Sequence, residues 1–350
     1  MVTTKCKLSV VGIVGVPASY GGFETLVENL LPLGGINTTV YCSGIRGVSG
    51  INEYRGAKLK YVNISANGIF SIPYDIYCIF HSLLNGSDKI LVLGVSGAIA
   101  IPIAKLFFKK AQFFINIDGL EWKRQKWGFF ARAFLKISEA IAVYTADFVI
   151  ADNQGVANYV DEQYGVTANM IAYGGDHAVK GKVDFSDGGY AFSLCRIEPE
   201  NNVHLILEAF ATVGFPLKFV GNWNFSKYSR DLFSKFSSIP NIELIGAVYD
   251  VSTLESLRSN CSYYVHGHSA GGTNPSLVEI MHFSKNIIAF DCSYNRYTLH
   301  NEGLYFKTSK QLVDIVEDGP DTGIHLAIKH IAVQNYSWSV IHKQYFDLLS

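Results

Sequence analysis

Short apolar runs alternate with amphipathic segments of helical length along the 350 residues of the chain. Continuous apolar runs of this length are typical of strands in a parallel sheet that helices cover on both faces. The runs occupy residues 8–14, 38–42, 59–64, 89–93, 112–117, 148–151, 170–172, 190–194, 217–220, 242–245, 262–265, 287–290 and 304–306. The alternation therefore predicts an α/β protein built on parallel sheets.

A polar, glycine-bearing stretch, residues 174–189, interrupts the alternation and is typical of a linker. The pattern predicts two Rossmann-like domains of similar size that face a cleft, residues 1–180 and residues 181–334. Ligands of open α/β sheets bind beyond the carboxyl ends of the strands. The loops that follow the strands are therefore where functional residues are expected.

Charge and cysteine content narrow the class of protein. The net charge is −1, which gives no overall basic field for nucleic acid. The six cysteines include no C-x-x-C pair, which argues against a disulfide framework or a zinc cluster and favours a reducing cytosol. Residues 5–18 and 90–108 are apolar, but glycine or proline interrupts each of them. We predict strands, turns and helices there rather than a signal peptide or a membrane span.

The loop after the first strand, residues 15–24, contains Gly21 and Gly22 at the predicted start of a helix that runs to Leu30. The loop lacks the G-x-G-x-x-G pattern of dinucleotide-binding domains, and no acidic residue ends the second strand to bind a ribose. A nicotinamide cofactor is therefore not expected. The two glycines either let the backbone approach an anion closely or form a tight turn.

Residues 266–282 repeat this arrangement after a later strand. A pair of glycines leads into Asn274 and Pro275, which open a predicted helix, and Glu279 follows inside an apolar run. One interpretation is an ordinary turn between strand and helix. The other is that the N–H groups at the helix start hold a phosphate while Glu279 holds a sugar hydroxyl.

Two more loops place charged side chains after apolar strands. Asp118 would either orient or deprotonate an acceptor hydroxyl, or cap the helix that contains Trp122. Arg196 has a planar fork of donors that can reach a phosphate, but it could also form an ion pair with Glu198 or Glu200.

Taken in order, these loops resemble the GT-B glycosyltransferases of family 4, and more narrowly the bacterial rhamnosyltransferases that build capsule and O-antigen repeat units. The motifs are PASYGGFETLVENL, DGLEWKRQKW, CRIEPENNVHLILEAF, HGHSAGGTNPSLVEIM and FDCSYNRYTL. The resemblance extends from residue 12 to about residue 306, which is nearly the whole chain. Residues 335–350 resemble the last helix of the family, which packs back on the first domain.

The resemblance implies transfer of a sugar from a nucleotide-sugar donor, with retention of anomeric configuration and without a cofactor. Arg196 would neutralise the donor diphosphate, Glu279 would contact the ribose, and the cleft would close for catalysis. The implied donor-binding residues are Gly21, Gly22, Arg196, Asn201, Gly272, Thr273, Asn274, Pro275, Ser276, Leu277 and Glu279. The implied catalytic residues are Asp118 and Arg196, and the implied acceptor-binding residues are Glu121, Trp122, Lys123 and Arg124.

Two positions depart from the pattern of the family. Gly271 stands where the family usually has a glutamate eight residues before Glu279, and Asn201 stands where it has a lysine five residues after the arginine. Both changes touch the donor, and the subgroup resemblance implies dTDP-rhamnose rather than a glucose or mannose donor. The chain has no D-x-D motif, and no third ligand is evident beside His266 and His268, so no metal ion is expected.

The implied acceptor is a saccharide linked to undecaprenyl diphosphate, which places the protein in the cytoplasm and peripherally on the inner face of the cytoplasmic membrane. Residues 105–136 suit an anionic inner-membrane surface, because basic and aromatic residues are interleaved there with only two acidic ones. The alternative is that these aromatics are core and the bases form a solvated helix face. The basic residues are Lys105, Lys109, Lys110, Lys123, Arg124, Lys126, Arg132 and Lys136.

Two other functions stay open on the sequence. A GT-B epimerase or hydrolase would act on a nucleotide sugar without a lipid acceptor. A non-catalytic sugar-binding protein would keep the fold after losing the usual residues at Gly271 and Asn201. Arg196, Glu279 and the double-glycine loop favour an enzyme over the non-catalytic protein.

Overall fold

A computed structural model describes residues 6–19, 21–45, 50–117, 119–123, 128–181, 187–319 and 323–350. The chain divides into two compact units, Met1–Ala172 with Trp338–Ser350, and Tyr173–Ser337. The predicted α/β class with parallel sheets is confirmed, because each unit contains one predominantly or wholly parallel sheet. No helix within the described ranges is long and apolar enough to cross a membrane.

The first unit contains an eight-stranded sheet in the order β3-β4-β2-β1-β5-β6-β7-β8. All neighbouring strands are parallel except β3 and β4, which are antiparallel. The strands are β1 (Lys7–Val11), β2 (Asn37–Ser43), β3 (Glu53–Tyr54), β4 (Ala57–Val62), β5 (Lys89–Leu93), β6 (Gln112–Ile117), β7 (Phe148–Ala151) and β8 (Asn169–Met170). The helices are α1 (Gly22–Leu30), α2 (Ser71–Leu84), α3 (Ile101–Phe107), α4 (Phe129–Thr145), α5 (Gln154–Tyr164) and α13 (Trp338–Leu349).

The end of β1 illustrates how local sterics set the strand bounds. The sequence predicts a strand over residues 8–14, but β1 ends at Val11. Gly12 has φ +96°, and a Cβ at this position would collide with the carbonyl oxygen of Leu93 on the neighbouring strand. The chain therefore leaves the sheet at a glycine, and the apolar residues that follow are buried without pairing as a strand.

The last helix, α13, belongs to the first unit although it follows the second unit in sequence. Tyr345 is fully buried, and its hydroxyl accepts a hydrogen bond from Asn116 Nδ2 on β6 at 2.7 Å. Lys89 Nζ donates to the carbonyl oxygens of Leu349 and Ser350 at 2.8 and 2.7 Å. These bonds fix α13 on the sheet of the first unit.

The second unit contains a six-stranded parallel sheet in the order β11-β10-β9-β12-β13-β14. The strands are β9 (Ala191–Leu194), β10 (Leu217–Val220), β11 (Ile242–Ile245), β12 (Tyr263–His266), β13 (Asn286–Phe290) and β14 (Leu304–Phe306). The helices are α6 (Val203–Val213), α7 (Lys227–Phe236), α8 (Val251–Asn260), α9 (Pro275–Met281), α10 (Ser293–Thr298), α11 (Ser309–Asp318) and α12 (Ile324–Asn335). One face of its core joins α6, α7 and α11 to the sheet through residues such as Phe210, Phe219 and Leu312.

The boundary between the units lies at residues 172 and 173, earlier than the predicted 180 and 181. Gly175 explains the difference. Its amide donates to the carbonyl oxygen of Tyr336 at 2.8 Å, and a Cβ at this position would lie 2.6 Å from the carbonyl oxygen of Val278. The first residues of the predicted linker are therefore packed into the second unit. The second boundary lies at residues 337 and 338, where 334 and 335 were predicted.

Candidate functional site

Arg196 lies just beyond the carboxyl end of β9, a central strand of the second unit. Its side chain is 64% exposed, and its Nε lies 3.9 Å from Glu198 Oε2, the limit of an ion pair. A pair at this separation, with the arginine exposed, contributes little to stability. The guanidinium is therefore available to a ligand on this edge of the sheet.

Asn201 links the Arg196 loop to the loop after β12. Its Nδ2 donates to the carbonyl oxygen of Arg196 at 2.6 Å, and its Oδ1 lies 2.7 Å from His268 Nδ1. Because the amide oxygen can only accept, His268 Nδ1 is the donor. Asn201 is buried with both ends of its amide bonded inside the protein, so in this structure it positions the loop. Direct contact between Asn201 and a donor stays a prediction.

The loop after β12 is tied to the same neighbour by main-chain bonds. Ser269 donates to the carbonyl oxygen of Glu200 through both its amide, at 3.0 Å, and its hydroxyl, at 2.8 Å. Asn202 Nδ2 donates to the carbonyl oxygen of Gly267 at 2.8 Å. β9 and β12 are adjacent parallel strands, so their two loops form one surface at the carboxyl edge of the sheet.

Gly271 and Gly272 present backbone amides on this surface. Gly271 has φ +106°, a conformation that favours glycine, and a Cβ there would lie 3.4 Å from His268 Nε2. Among the described residues, neither amide of this glycine pair has a hydrogen-bond acceptor. Adjacent amides without an acceptor are suited to bind an anion such as a phosphate oxygen.

At the start of α9, several amides are bonded within the protein. Asn274 caps the helix, because its Oδ1 accepts from the amide of Ser276 at 3.0 Å and from the hydroxyl of Ser276 at 2.7 Å. The amides of Leu277 and Val278 donate to the carbonyl oxygen of Asn274. The Leu277 side chain is fully buried in the core, and Thr273 is also buried. The amides of Ser276, Leu277 and Val278 are therefore already bonded within the protein, while phosphate binding by the amides ahead of the helix stays a prediction.

Glu279 lies on α9 with its side chain largely buried. Its Oε2 accepts from the buried guanidinium of Arg258, and its Oε1 lies 3.5 Å from His177 Nε2. Burial opposes ionisation, but Arg258 and then His177 outweigh it and hold the pKa of the Glu279 carboxyl below its usual range. The carboxylate is thus ionised and fixed in one orientation. Its predicted ribose contact is untested.

A cavity of about 450 Å³ opens beyond the carboxyl ends of β10 and β11. Trp223, Asn222 and Asn224 are among its lining residues. It adjoins the Arg196 loop, because a Cβ on its Gly221 would collide with the side chain of Ile197. Two exposed amides in a recess of this size are suited to a hydrogen-bonding group such as a nucleotide base.

His266 and His268, the pair considered for a metal ion, lie at and just beyond the end of β12. His266 is fully buried beside His268, and burial together with that neighbour lowers the pKa of His266 well below its usual range. A neutral imidazole would be a competent ligand. However, the described part of the chain contains no group of three or more His, Cys, Asp or Glu side chains that could hold a metal ion.

In the first unit, the glycine loop is fastened to the helix that follows it. Gly21 caps α1 without a side chain, and Gly22 is its first residue. Glu24 Oε1 accepts from the amide of Val14 at 2.8 Å, and Glu28 Oε2 accepts from the amide of Ala18 at 2.6 Å. Glu24 and Glu28 are therefore structural here, because their carboxylates hold the loop against the start of α1.

Trp122 and Lys123 lie in a 3₁₀ turn, Glu121–Lys123, beyond β6. Trp122 Nε1 donates to Glu139 Oε2 at 3.1 Å, and Lys123 Nζ lies 5.4 Å from the centre of the Trp122 ring. Glu139 is buried and also accepts from the hydroxyls of Tyr159 and Tyr164. This network fixes the turn on α4 and α5. Asp118 and Arg124, predicted for catalysis and acceptor binding, lie outside the described residues.

Sequence reasoning missed the partners that hold the predicted residues in place. Arg258 and His177 lie far from Glu279 in sequence, and Glu139 lies 17 residues from Trp122. A sequence signal existed for only one contact, the i, i+3 pair of Lys136 and Glu139.

Two family models match the chain in succession. Residues 5–176 match the domain of unknown function DUF1972, and residues 178–318 match the glycosyl transferases group 1. No curated protein matches the chain.

Solved structures are similar to almost the whole chain at low sequence identity. Sucrose-phosphate synthase from Thermosynechococcus elongatus is 13% identical with a TM-score of 0.81, over 98% of each chain. A glycosyltransferase from Rickettsia africae is 15% identical with a TM-score of 0.73, over 99% of this chain and 98% of its own. Anabaena HepE in complex with UDP is 15% identical with a TM-score of 0.73, over 98% and 99%.

These likenesses show the GT-B fold, which confirms the predicted fold class. The group 1 domain contains the Arg196 loop, the glycine pair and Glu279. Together, the domain match and the fold support a glycosyltransferase.

Proposed function

We propose that the protein transfers a sugar, namely rhamnose from dTDP-rhamnose, to a saccharide linked to undecaprenyl diphosphate during surface polysaccharide synthesis. The observation that carries the transferase proposal is the surface formed by Arg196 and the glycine pair Gly271–Gly272. An exposed cation and two amides with no acceptor among the described residues lie there on the loops of two adjacent strands, inside a glycosyl transferases group 1 domain.

The donor diphosphate would bind to that surface. The guanidinium of Arg196 would neutralise charge as the sugar–phosphate bond breaks, while the amides of Gly271 and Gly272 would hold a phosphate oxygen. The nucleotide base would occupy the cavity beside Trp223, which adjoins the same loop. Fixed donors of this kind need no metal ion to hold the diphosphate. Gly21 and Gly22 are also proposed as donor-binding residues.

The acceptor would be bound by the first unit through Glu121, Trp122, Lys123 and Arg124, with Asp118 as orienting group or base. The anchoring of Trp122 by Glu139 supports this part, because a rigid aromatic ring beside an exposed cation suits a sugar linked to a diphosphate. Reaction with retention would leave the departing phosphate to help deprotonate the acceptor hydroxyl.

The choice of rhamnose rests on the motif resemblance and on the two departures from the family. HepE was solved with UDP and with UDP-glucose, so UDP-glucose is the donor to test against dTDP-rhamnose. Asn201 and Gly271, where the family usually has lysine and glutamate, would remove two polar contacts to a donor sugar. A deoxysugar with fewer hydroxyls tolerates that loss better than glucose does.

The deciding experiment incubates the purified protein with dTDP-rhamnose, UDP-glucose or GDP-mannose and an undecaprenyl diphosphate-linked saccharide, with and without EDTA. Mass spectrometry of the lipid product is expected to show addition of one deoxyhexose, unaffected by EDTA. A hexose product would overturn the donor assignment, and a metal requirement would overturn the diphosphate site.

The same assay separates the two alternative functions. An epimerase or hydrolase would convert the nucleotide sugar without any acceptor, which the nucleotide products would reveal. A non-catalytic sugar-binding protein would raise its melting temperature with a sugar ligand and yet form no product with any donor. Either outcome would contradict the transferase proposal.

A further inference from the structure

Three consecutive helices of the first unit, α2, α3 and α4, present apolar residues outward. They form one layer, since α2 packs on α3 and α3 packs on α4. Solvent-facing helices of a globular domain normally carry polar residues there. We call their outward side the apolar face; its most exposed members are Leu84, Ile103, Leu106, Phe107, Phe129, Phe130, Ile137 and Tyr144.

This reversal of the usual polar exterior is clearest on α4. The buried side of this helix includes Ser138 and Glu139, whereas its outward side carries Phe130, Ile137 and Tyr144 at helical spacing. Phe130 is 87% exposed and Phe129 is 79% exposed. Two neighbouring phenylalanines that stay in water gain almost none of the free energy of burial that another apolar phase covering them would supply.

Neighbouring helices of the same unit do not share this feature. α5, which packs on α4, exposes Gln154, Asp161 and Glu162. The outward residues of α13 include Lys343 and Asp347. The apolar face is therefore a bounded surface and not a general property of an apolar chain.

The charged residues on and around the apolar face indicate which kind of partner covers it. The helices α2, α3 and α4 are described in full, and both of their carboxylates, Asp75 and Glu139, are buried. Lys109 and Lys110 are exposed in the turn after α3, and Arg132 is exposed on α4. A surface with aromatic and aliphatic residues, cations and no outward carboxylate complements an anionic lipid interface.

We propose that the apolar face docks on an anionic lipid bilayer, with Phe107, Phe129 and Phe130 inserted at the boundary between head groups and acyl chains. A second copy of the chain fits less well, because a two-fold dimer would place the same cations against each other. The proposal rests on the proposed function only in that a lipid-linked acceptor requires access to a membrane.

The mode of docking differs from a purely electrostatic patch. Of the basic residues in 105–136, Lys105 is paired with Asp147 at 2.8 Å, and Lys136 is turned inward to Glu139 at 3.2 Å. Fewer cations are therefore available than the sequence count indicates. Insertion of apolar side chains should leave part of the binding intact at high salt, where exposed charges are screened.

A groove of about 550 Å³ along α2 continues this apolar surface. Its walls include Ile64, Pro73, Phe80 and Leu84, and they are almost entirely apolar. In a docked molecule this groove would lie in reach of acyl chains, which supports a lipid phase rather than a polar partner.

The test is flotation of the full chain with vesicles of phosphatidylglycerol and phosphatidylcholine in equal parts, compared with phosphatidylcholine alone. Wild type should float with the anionic vesicles and stay partly bound at high salt. The triple variant Leu106→Gln, Phe107→Gln, Phe130→Gln should lower the partition coefficient at least about tenfold at every salt concentration. Because these side chains are exposed, the variant should fold normally.

The matched control is Leu326→Gln with Val333→Gln, which removes exposed apolar residues from α12 of the second unit. It should float like wild type. Lys109→Gln with Lys110→Gln should reduce binding about tenfold or more at low salt and hardly at all at high salt. Its control is Lys310→Gln with Lys343→Gln, which should bind like wild type.

Three results would overturn the proposal. They are flotation that is unchanged in the triple variant, equal binding to neutral vesicles, and a stable wild-type dimer, seen by sedimentation, that dissociates in the triple variant. Failure of this proposal is distinguishable from failure of the proposed function. Sugar transfer to a detergent-dispersed acceptor without flotation would refute only the docking proposal. Flotation without transfer to any acceptor would refute only the proposed function.

Discussion

At the scale of single residues, Glu279 shows how a predicted ligand contact can also be structural. Its carboxylate neutralises Arg258, which is buried. Removing one partner of a buried ion pair leaves the other charge uncompensated and is strongly destabilising. A Glu279 variant would therefore lose stability and nucleotide affinity together, so Arg196 is the cleaner position at which to test the donor site.

Arg196→Ala should reduce kcat/KM by about 30- to 1,000-fold, equivalent to roughly 2–4 kcal/mol of transition-state stabilisation. The exposed side chain has only the weak contact with Glu198 at 3.9 Å, so the melting temperature should hardly change. The measurement is steady-state transfer, with Lys310→Ala as an exposed control. Wild-type turnover by folded Arg196→Ala would remove this residue from the donor site.

Asp75 gives a prediction about pH. It is fully buried on α2, its Oδ1 has no hydrogen-bond partner, and burial raises the pKa of its carboxyl to about 8, partly offset by Ser96. The pKa in the unfolded chain is about 3.9. A raised pKa means that the stabilising contribution is complete below about pH 4 and is lost as the pH rises through 8.

Asp75→Asn, which resembles the neutral carboxyl, should therefore raise the free energy of unfolding at pH 7 to 9 and flatten its dependence on pH between 4 and 8. Urea unfolding across this range is the measurement. Asp161→Asn, at an exposed position of α5, is the control. An Asp75→Asn variant that is less stable than wild type at pH 8 would contradict the assignment of a buried carboxyl with a raised pKa.

At the scale of elements, the sequence predicted most strands closely and some not at all. The predicted residues 89–93, 112–117, 148–151, 217–220 and 242–245 coincide with β5, β6, β7, β10 and β11. Each is a mainly apolar run that is followed directly by glycine or aspartate. The two-residue strand β3 has no such pattern, because an edge pairing this short is set by its turn.

The sequence motifs name the residues of the candidate site but do not predict their hydrogen bonds. The motifs located Arg196, the glycine pair and Glu279. They could not show that Asn274 caps the first amide of α9 or that Asn201 bonds to His268, since both bonds depend on side-chain orientation. Phosphate binding at the start of α9 and at the glycines before it stays a prediction.

Gly271 is required by the conformation of its loop. With φ +106°, any L side chain is strained by roughly 1–3 kcal/mol, and a Cβ would touch His268, which holds Asn201. Gly271→Ala should therefore lower the melting temperature and weaken nucleotide binding. Gly271→Glu, which restores the residue usual in the family, should be at least as harmful.

Calorimetry and nucleotide titration measure these effects. The control is Gly34→Ala, because a Cβ there meets nothing within 4 Å and the backbone has no positive φ. Improved activity of Gly271→Glu would show that the loop tolerates the family residue after all.

At the scale of the whole molecule, the order of the chain and the division into units do not coincide. The first unit is closed by α13, which arrives only after the second unit is complete. The contact is specific, because Asn116 on β6 donates to the hydroxyl of Tyr345 in the interior of the first unit. Stability of the first unit thus depends on a segment more than two hundred residues away.

Tyr345→Phe tests this dependence. Asn116 is buried and its Oδ1 already has no partner, so loss of the hydroxyl would leave the whole amide unsatisfied. We expect a cost of about 1–3 kcal/mol, a drop of several degrees in the melting transition of the first unit. The transition of the second unit, which contains neither residue, should stay unchanged.

Differential scanning calorimetry distinguishes the two transitions, and Tyr249→Phe, at an exposed tyrosine, is the control. The double variant Asn116→Leu, Tyr345→Phe should recover part of the loss, because both polar groups are then removed and none is left buried without a partner. If Tyr345→Phe melts like Tyr249→Phe, the bond does not hold α13 in place. The apolar contacts of Ile341 and Leu349 would then fix the helix by themselves.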